Sequence, residues 1–185
     1  MEQIKNWEKV KASDGGFDRP SAGGYICKII DVEDVPLDAN TGKGNYLRIS
    51  YDIADGEFKD YFKEQNDRWG GDWIATFIRS YKEKAQGMFK HFINCVEQSN
   101  NGFAWDWSEK ELVGEFVGLV LGEEEYENKK GEIKTKLVVK DVKTAFEIKE
   151  GNFKIPPIKK LERTQAQNDN GFSPIDNVDT SDLPF

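Results

Sequence analysis

The chain has 185 residues, 37% hydrophobic and 32% charged, which fits one ordinary domain with some additional length and enough apolar side chains for a buried core. No apolar run approaches membrane-spanning length, and a net charge of −8, taken as a whole, argues against a polyanion-binding protein. Two cysteines and one histidine, with neither a CxxC nor a Cys/His cluster, speak against a structural zinc.

Residues 1–22 read as a polar lead-in with one anchor candidate, Trp7, ending in the turn-rich stretch GGFDRPSAGG. The opening MEQIKNWEKVKASDGG does not have the character of a secretory signal, so a cytoplasmic protein is expected. The domain is predicted over 23–150. Its first strand is YICKIIDVEDV (25–35), followed by the loop PLDANTGKG with Thr41, Gly42, Lys43 and Gly44 as turn residues. NYLRISYDI then alternates. Leu47, Ile49, Tyr51 and Ile53 face one way and Tyr46, Arg48, Ser50 and Asp52 the other, the period of a half-buried strand. After the turn ADG, EFKDYFK is predicted as a third strand, with Phe58 and Phe62 inward and Lys59, Tyr61 and Lys63 outward. EQNDRWGGDW is a loop carrying Arg68 and Trp69.

From Asp72 the spacing becomes helical through Ile74, Phe77, Ile78, Tyr81, Ala85, Met88, Phe89, Phe92, Ile93 and Val96. A helical insertion is predicted over 72–99, N-capped by Asp72, stopped by SNNG and divided near Gly87. VGEFVGLVLGEEEY (113–126) reads as a fourth strand, strongly bent because of Gly114, Gly118 and Gly122. ENKKGE is a turn and IKTKLVVKDVKTAFEI (133–148) a fifth strand with four lysines. Residues 151–185 are expected to form a flexible tail that is poor in hydrophobic residues from Thr164 onward. Three strands, a helix and two strands is the element order of the OB-fold: a five-stranded barrel, mainly β, with the helix between strands three and four.

Catalysis has little support. Asp31, Glu33 and Asp34, and the run Glu123 to Glu125, read as solvated strand ends; His91 lies in a helical region, and Cys27 and Cys95 read as buried thiols. No GxxxxGK[ST] phosphate loop occurs, and no cofactor is predicted. Binding an unpaired polynucleotide asks for less, namely cations along a groove and flat rings that stack on bases. Tyr46 and Arg48 on strand two, Lys59 and Tyr61 on strand three, and Arg68 and Trp69 in the next loop provide that mixture. Lys43 in the first loop, and Tyr126, Lys129, Lys130, Lys134 and Lys136 around the last hairpin, extend it. The four acids from Thr164 to Phe185, with no lysine or arginine among them, account for half of the −8, so the body is near −4. Trp73, Trp105 and Trp107 flank the helix and read as packing residues.

The chain ends DTSDLPF. In this it resembles the single-stranded DNA-binding proteins of bacteria and their phages, which close a flexible acidic stretch with a short hydrophobic tip ending in Pro-Phe. Here the corresponding residues are Asp179, Asp182, Leu183, Pro184 and Phe185, although the stretch is less densely acidic than in many bacterial members. The body, with NNGFAWDWSEKELVGEFVGLVLGEEEYENKKGE, is similar to the phage-encoded branch of these OB-fold proteins. The resemblance implies a non-enzymatic protein that coats single-stranded DNA during phage replication or recombination in a bacterial cytoplasm. It also implies recruitment of replication or recombination proteins through the tail, with no membrane partner and with the homo-oligomeric state left open. A protein–protein adapter that touches no DNA, and a metal-dependent nuclease, are the alternatives.

Overall fold

The inward row of the second predicted strand, Leu47, Ile49, Tyr51 and Ile53, is buried, and it lies on β2 (Tyr46–Ile53). The computed structural model describes residues 19–161. β1 (Gly23–Val35) runs antiparallel to β2 along one edge and to β4 (Phe116–Glu127) along the other. Strand β1 pairs with β4 through Gly23–Lys28 and with β2 through Cys27–Val35, and it is bulged in the latter. Ile29 pairs with Tyr51 and Asp31 with Ser50, so Ile30 has no partner. The extra residue switches the side-chain parity, and Cys27, Ile29 and Val32 all point into the core. With β3 (Thr76–Ser80) beside β2 and β5 (Ile133–Lys143) beside β4, the antiparallel order is β3-β2-β1-β4-β5. The sheet curls into a nearly closed barrel. Arg79 on β3 is drawn inward, with its guanidinium 4.9 Å from the Phe77 ring centroid.

Helix α2 (Gln86–Ser99) lies between β3 and β4, as the OB-fold element order predicts. It buries Phe89, Phe92, Ile93 and Val96, the i, i+3, i+4, i+7 stripe, against the barrel. Phe92 meets Phe77 edge-on at 5.8 Å between centroids. Full burial of such a side chain contributes about 1.5–3 kcal/mol. Asn100 then joins the helix end to β4: its amide donates to Val96 O and Phe116 O, and its Oδ1 accepts from Phe116 N–H.

Two predicted elements differ from the structure. The stretch expected to be a third strand is a turn followed by helix α1 (Tyr61–Trp69). The third strand is instead β3, within the region expected to be helix, and α2 starts at Gln86 with Gly87 in its first turn rather than at an Asp72 cap. Phe58 and Phe62 are four residues apart, which satisfies a period of 2 and a period of 3.6 alike. From residue 74 to residue 78 the alternation is strict. Ala75 and Phe77 are buried, whereas Ile74 and Ile78 are 75% and 50% exposed, so these two residues of the apparent helical stripe face outward. The predicted fifth strand ends at Lys143, where the Thr144 capping box opens the short helix α3 (Ala145–Lys149).

The glycines of β4 serve a purpose beyond bending. A Cβ on Gly118 would lie 2.6 Å from Thr144 O and from Ile148 Cγ1, and one on Gly122 would meet Pro156 at 2.8 Å. On β1, a Cβ at Gly24 would fall 2.5 Å from the Phe153 ring. These bare positions form a floor for α3 and for the chain that follows it. Residues 151–161, assigned from sequence to the tail, run over this wall. Lys159 N–H donates to Glu123 O, and Lys159 O accepts from Glu125 N–H, a parallel bridge on the edge of β4 that β1 leaves uncovered.

Candidate nucleic-acid interface

The outer wall of the β1–β3 sheet carries Tyr46 and Arg48, as the alternation predicts. Its charge is mixed. Arg48 lies directly across from Glu33 on β1, and its Nη1 meets Glu33 Oε2 at 2.6 Å. Asp31 is exposed on the same strand. Half-buried Tyr46 stands opposite Ser80, and Ile78 flanks Arg48 from β3. Lys43 is exposed in the loop before β2, which is tied down by Lys82 Nζ donating to Gly42 O.

Lys59 and Tyr61 are not on a strand. Lys59 is exposed in the turn before α1, while Tyr61, in the first turn of the helix, is half-buried and packs edge-on against Phe58 and Phe62. Its hydroxyl is pushed above the ordinary tyrosine range by burial, opposed by nearby Arg19. Trp69 closes α1 and is 71% exposed, beside exposed Arg68. Gly70 and Gly71, both at positive φ, follow it and turn the chain back toward β3.

Lysines gather on one face of the β4–β5 hairpin, although the hairpin as a whole holds as many acidic residues as lysines. Tyr126 pairs with Lys134 and Glu124 with Lys136, so these four side chains share one face. Lys140 Nζ lies 2.5 Å from Glu124 Oε1, and Lys159 Nζ approaches the same oxygen at 3.9 Å. Glu124 is held below the usual carboxylate range, chiefly by the Lys140 hydrogen bond. Lys136, Lys140 and Lys159 surround Glu124, and Lys134 pairs with Glu132 at 3.4 Å, so four ammonium groups meet two carboxylates and this face stays net positive. Lys129 and Lys130 are exposed at the hairpin tip, where Asn128 Oδ1 accepts the N–H groups of Lys130 and Glu132. The sequence reading did not assign Lys140 and Lys159. Lys140 was visible as one of the four lysines of the strand, whereas nothing local to Lys159 marks it as sheet-bound.

The acid runs do not converge. Glu123 faces Arg19 at 3.6 Å, Glu124 faces the lysines, and Glu125 Oε2 accepts from Leu161 N–H. Glu33 pairs with Arg48, and Asp34 accepts from the Tyr81 hydroxyl. Cys95 lies near His91, but burial pushes its thiol up to about 11, the opposite of an activated thiolate. His91 Nε2 meets Val142 O at 3.0 Å. No protein-family model matches this chain, and no curated protein matches it in sequence. Among the described residues, no helix is long and apolar enough to cross a membrane. Asp179, Asp182, Leu183, Pro184 and Phe185 lie outside the described residues, as does Trp7.

Of the flanking tryptophans, Trp73 is half-buried, its indole N–H donating to Tyr51 O. Trp105 is also half-buried, and Trp107, although 82% exposed, packs one ring face on it at 4.8 Å between centroids.

Proposed function

We propose that this protein is a non-catalytic, OB-type single-stranded DNA-binding protein. It coats unpaired DNA during phage or bacterial replication and recombination, and its C-terminal Leu183-Pro184-Phe185 recruits partner proteins. The observation that carries this reading is the outer face of the β4–β5 hairpin, where the exposed Tyr126 ring lies across from Lys134 and beside Lys136, Lys140 and Lys159, four ammonium groups that meet two carboxylates, Glu124 and Glu132. A flat ring offers a stacking surface to any base, and the ammonium groups offer phosphate partners. Trp69, Lys129 and Lys130 add a second exposed ring and further cations. The overall negative charge does not oppose this, because affinity follows the local field rather than the sum.

The test is fluorescence anisotropy of a labelled oligo-dT titrated with the full-length protein from roughly 50 to 200 mM salt. Binding that weakens steeply with salt is expected. A flat titration at the lowest salt would end the proposal.

A further inference from the structure

A cleft of about 700 Å³ opens between α2 and the segment that leads to β4, away from the lysine cluster of the hairpin. Four rings line up toward it. Tyr81 packs on Phe89 at 5.9 Å, Phe89 on Trp105 at 5.6 Å, and Trp105 on Trp107 at 4.8 Å with only 36° between the planes. The inner rings are fixed. The Trp105 indole donates to Ser108 O, its backbone N–H donates to Glu97 Oε1, and the Tyr81 hydroxyl donates to Asp34 Oδ1. The outermost ring is held at a conformational cost. Trp107 has φ 76, a left-handed backbone that a bulky residue rarely adopts, and is 82% exposed. Stacking on Trp105 leaves the other face of the ring to solvent.

The charge of the cleft differs from that of the hairpin. Asp34, Glu97 and Glu109 line it against one ammonium, Lys90. Such a cleft repels phosphates, and it equally repels the acidic DTSDLPF end of this chain. Stacked indoles rimmed by carboxylates complement a planar guanidinium, which can lie on a ring while its N–H groups reach a carboxylate.

We propose that this cleft docks an arginine-bearing, apolar segment of a partner protein, with the guanidinium on Trp107 and its donors directed to Glu109 and Asp34. The cleft shares no lining residue with the hairpin face assigned to DNA, so a coated strand and a partner would be held at the same time.

The probe is fluorescein-labelled acetyl-Leu-Arg-Leu-Arg-amide, titrated with the full-length protein by anisotropy beside its citrulline and glutamate analogues. The arginine peptide is expected to bind, and the neutral and acidic analogues about tenfold or more weakly. Trp107→Ala and Glu109→Lys should each lower the affinity by about tenfold or more while leaving oligo-dT binding unchanged. Both positions lie outside the barrel core, and a far-UV spectrum matching wild type checks that the variants fold. Four outcomes would overturn the proposal: citrulline binding as well as arginine; arginine binding that survives Trp107→Ala; loss of oligo-dT affinity in Trp107→Ala, which would make the cleft part of the DNA path; or arginine-peptide affinity that rises when residues 179–185 are deleted, which would make it the seat of the chain's own end. The peptide arm is read whether or not the protein binds DNA.

Discussion

The carboxylate of Asp52, on β2, accepts the backbone N–H of Phe62 at 3.0 Å, so a strand caps the helix that follows it in sequence. Its other oxygen accepts Lys63 N–H at 2.9 Å, and Ile53 N–H donates to the first at 2.8 Å. Asp60, the residue at the start of α1, makes no side-chain cap of its own. Burial raises the Asp52 carboxyl above its ordinary value, and the three N–H donors pull the other way.

Asp52→Ala removes that cap and leaves buried N–H groups without an acceptor. A loss of about 1–3 kcal/mol is expected, read as a lower urea midpoint with unchanged slope. Asp52→Asn keeps one acceptor oxygen but turns an amide N–H toward a backbone donor, so its cost should be of the same order. An unchanged midpoint in both variants would remove Asp52 from the account of α1.

Gly118→Ala tests the floor under α3. The added methyl meets the Thr144 carbonyl, which is backbone and yields poorly. An overpacking cost of about 1–3 kcal/mol is expected, with hydrogen exchange rising first in Ala145–Lys149. Gly42→Ala is the contrasting case: its φ of 65 is strained for alanine, but no atom lies within 4 Å, so any cost there is local to the loop.

Lys134→Ala with Lys136→Ala should weaken oligo-dT binding and flatten its salt dependence. For single strands each lost phosphate contact removes about 0.7 from the logarithmic slope, so the double variant should lose about 1.4. A slope equal to that of wild type would move the polynucleotide off this face.

Trp69→Ala addresses stacking instead of charge. The expected loss is about 1–3 kcal/mol of oligo-dT affinity with the salt slope unchanged. The ring is 71% exposed, so the variant should melt like wild type.

Four carboxylates among the described residues are held low, of which Glu124 and Glu147 are half-buried while Asp38 and Glu132 are exposed. Glu124 is lowered by Lys140, and Glu147 by the Thr144 backbone N–H it accepts, both from an ordinary 4.5. A depressed carboxylate stabilises the fold above its unfolded pKa, and that contribution is lost as pH falls through the folded value. The melting temperature should therefore drop below about pH 4.5, and Glu124→Gln and Glu147→Gln should each drop less than wild type over that interval. Asp52 is raised and runs the opposite way, its protonated form being the one the fold favours. A wild-type acid limb as shallow as that of the variants would count against both pairings.

Much of the architecture was legible because β2 buries one face and α2 one stripe. The row from Leu47 to Ile53 could be assigned by alternation alone, and Phe89 to Val96 by helical spacing. The middle of the chain was not, because Phe58 with Phe62, and Ile74 with Ile78, fit either period. What decides there is tertiary: Asp52 supplies the helix cap from ten residues away, and β2 needs a partner along its outer edge. The candidate site was legible in residue type more than in placement. Arg48 belongs to the predicted face, but its partner Glu33 comes from a strand pairing that spacing does not reveal. Lys159 joins the basic face through a backbone bridge to Glu124, a partner that nothing in its local sequence indicates.

That bridge has a further effect. An uncovered strand end is a template for copying, and a second molecule could add itself there. Residues 155–161 occupy the place first, and Pro156 and Pro157, which have no N–H to offer, cannot pass the ladder on. The molecule thereby terminates its own sheet on that side, which opposes edge-to-edge growth between copies.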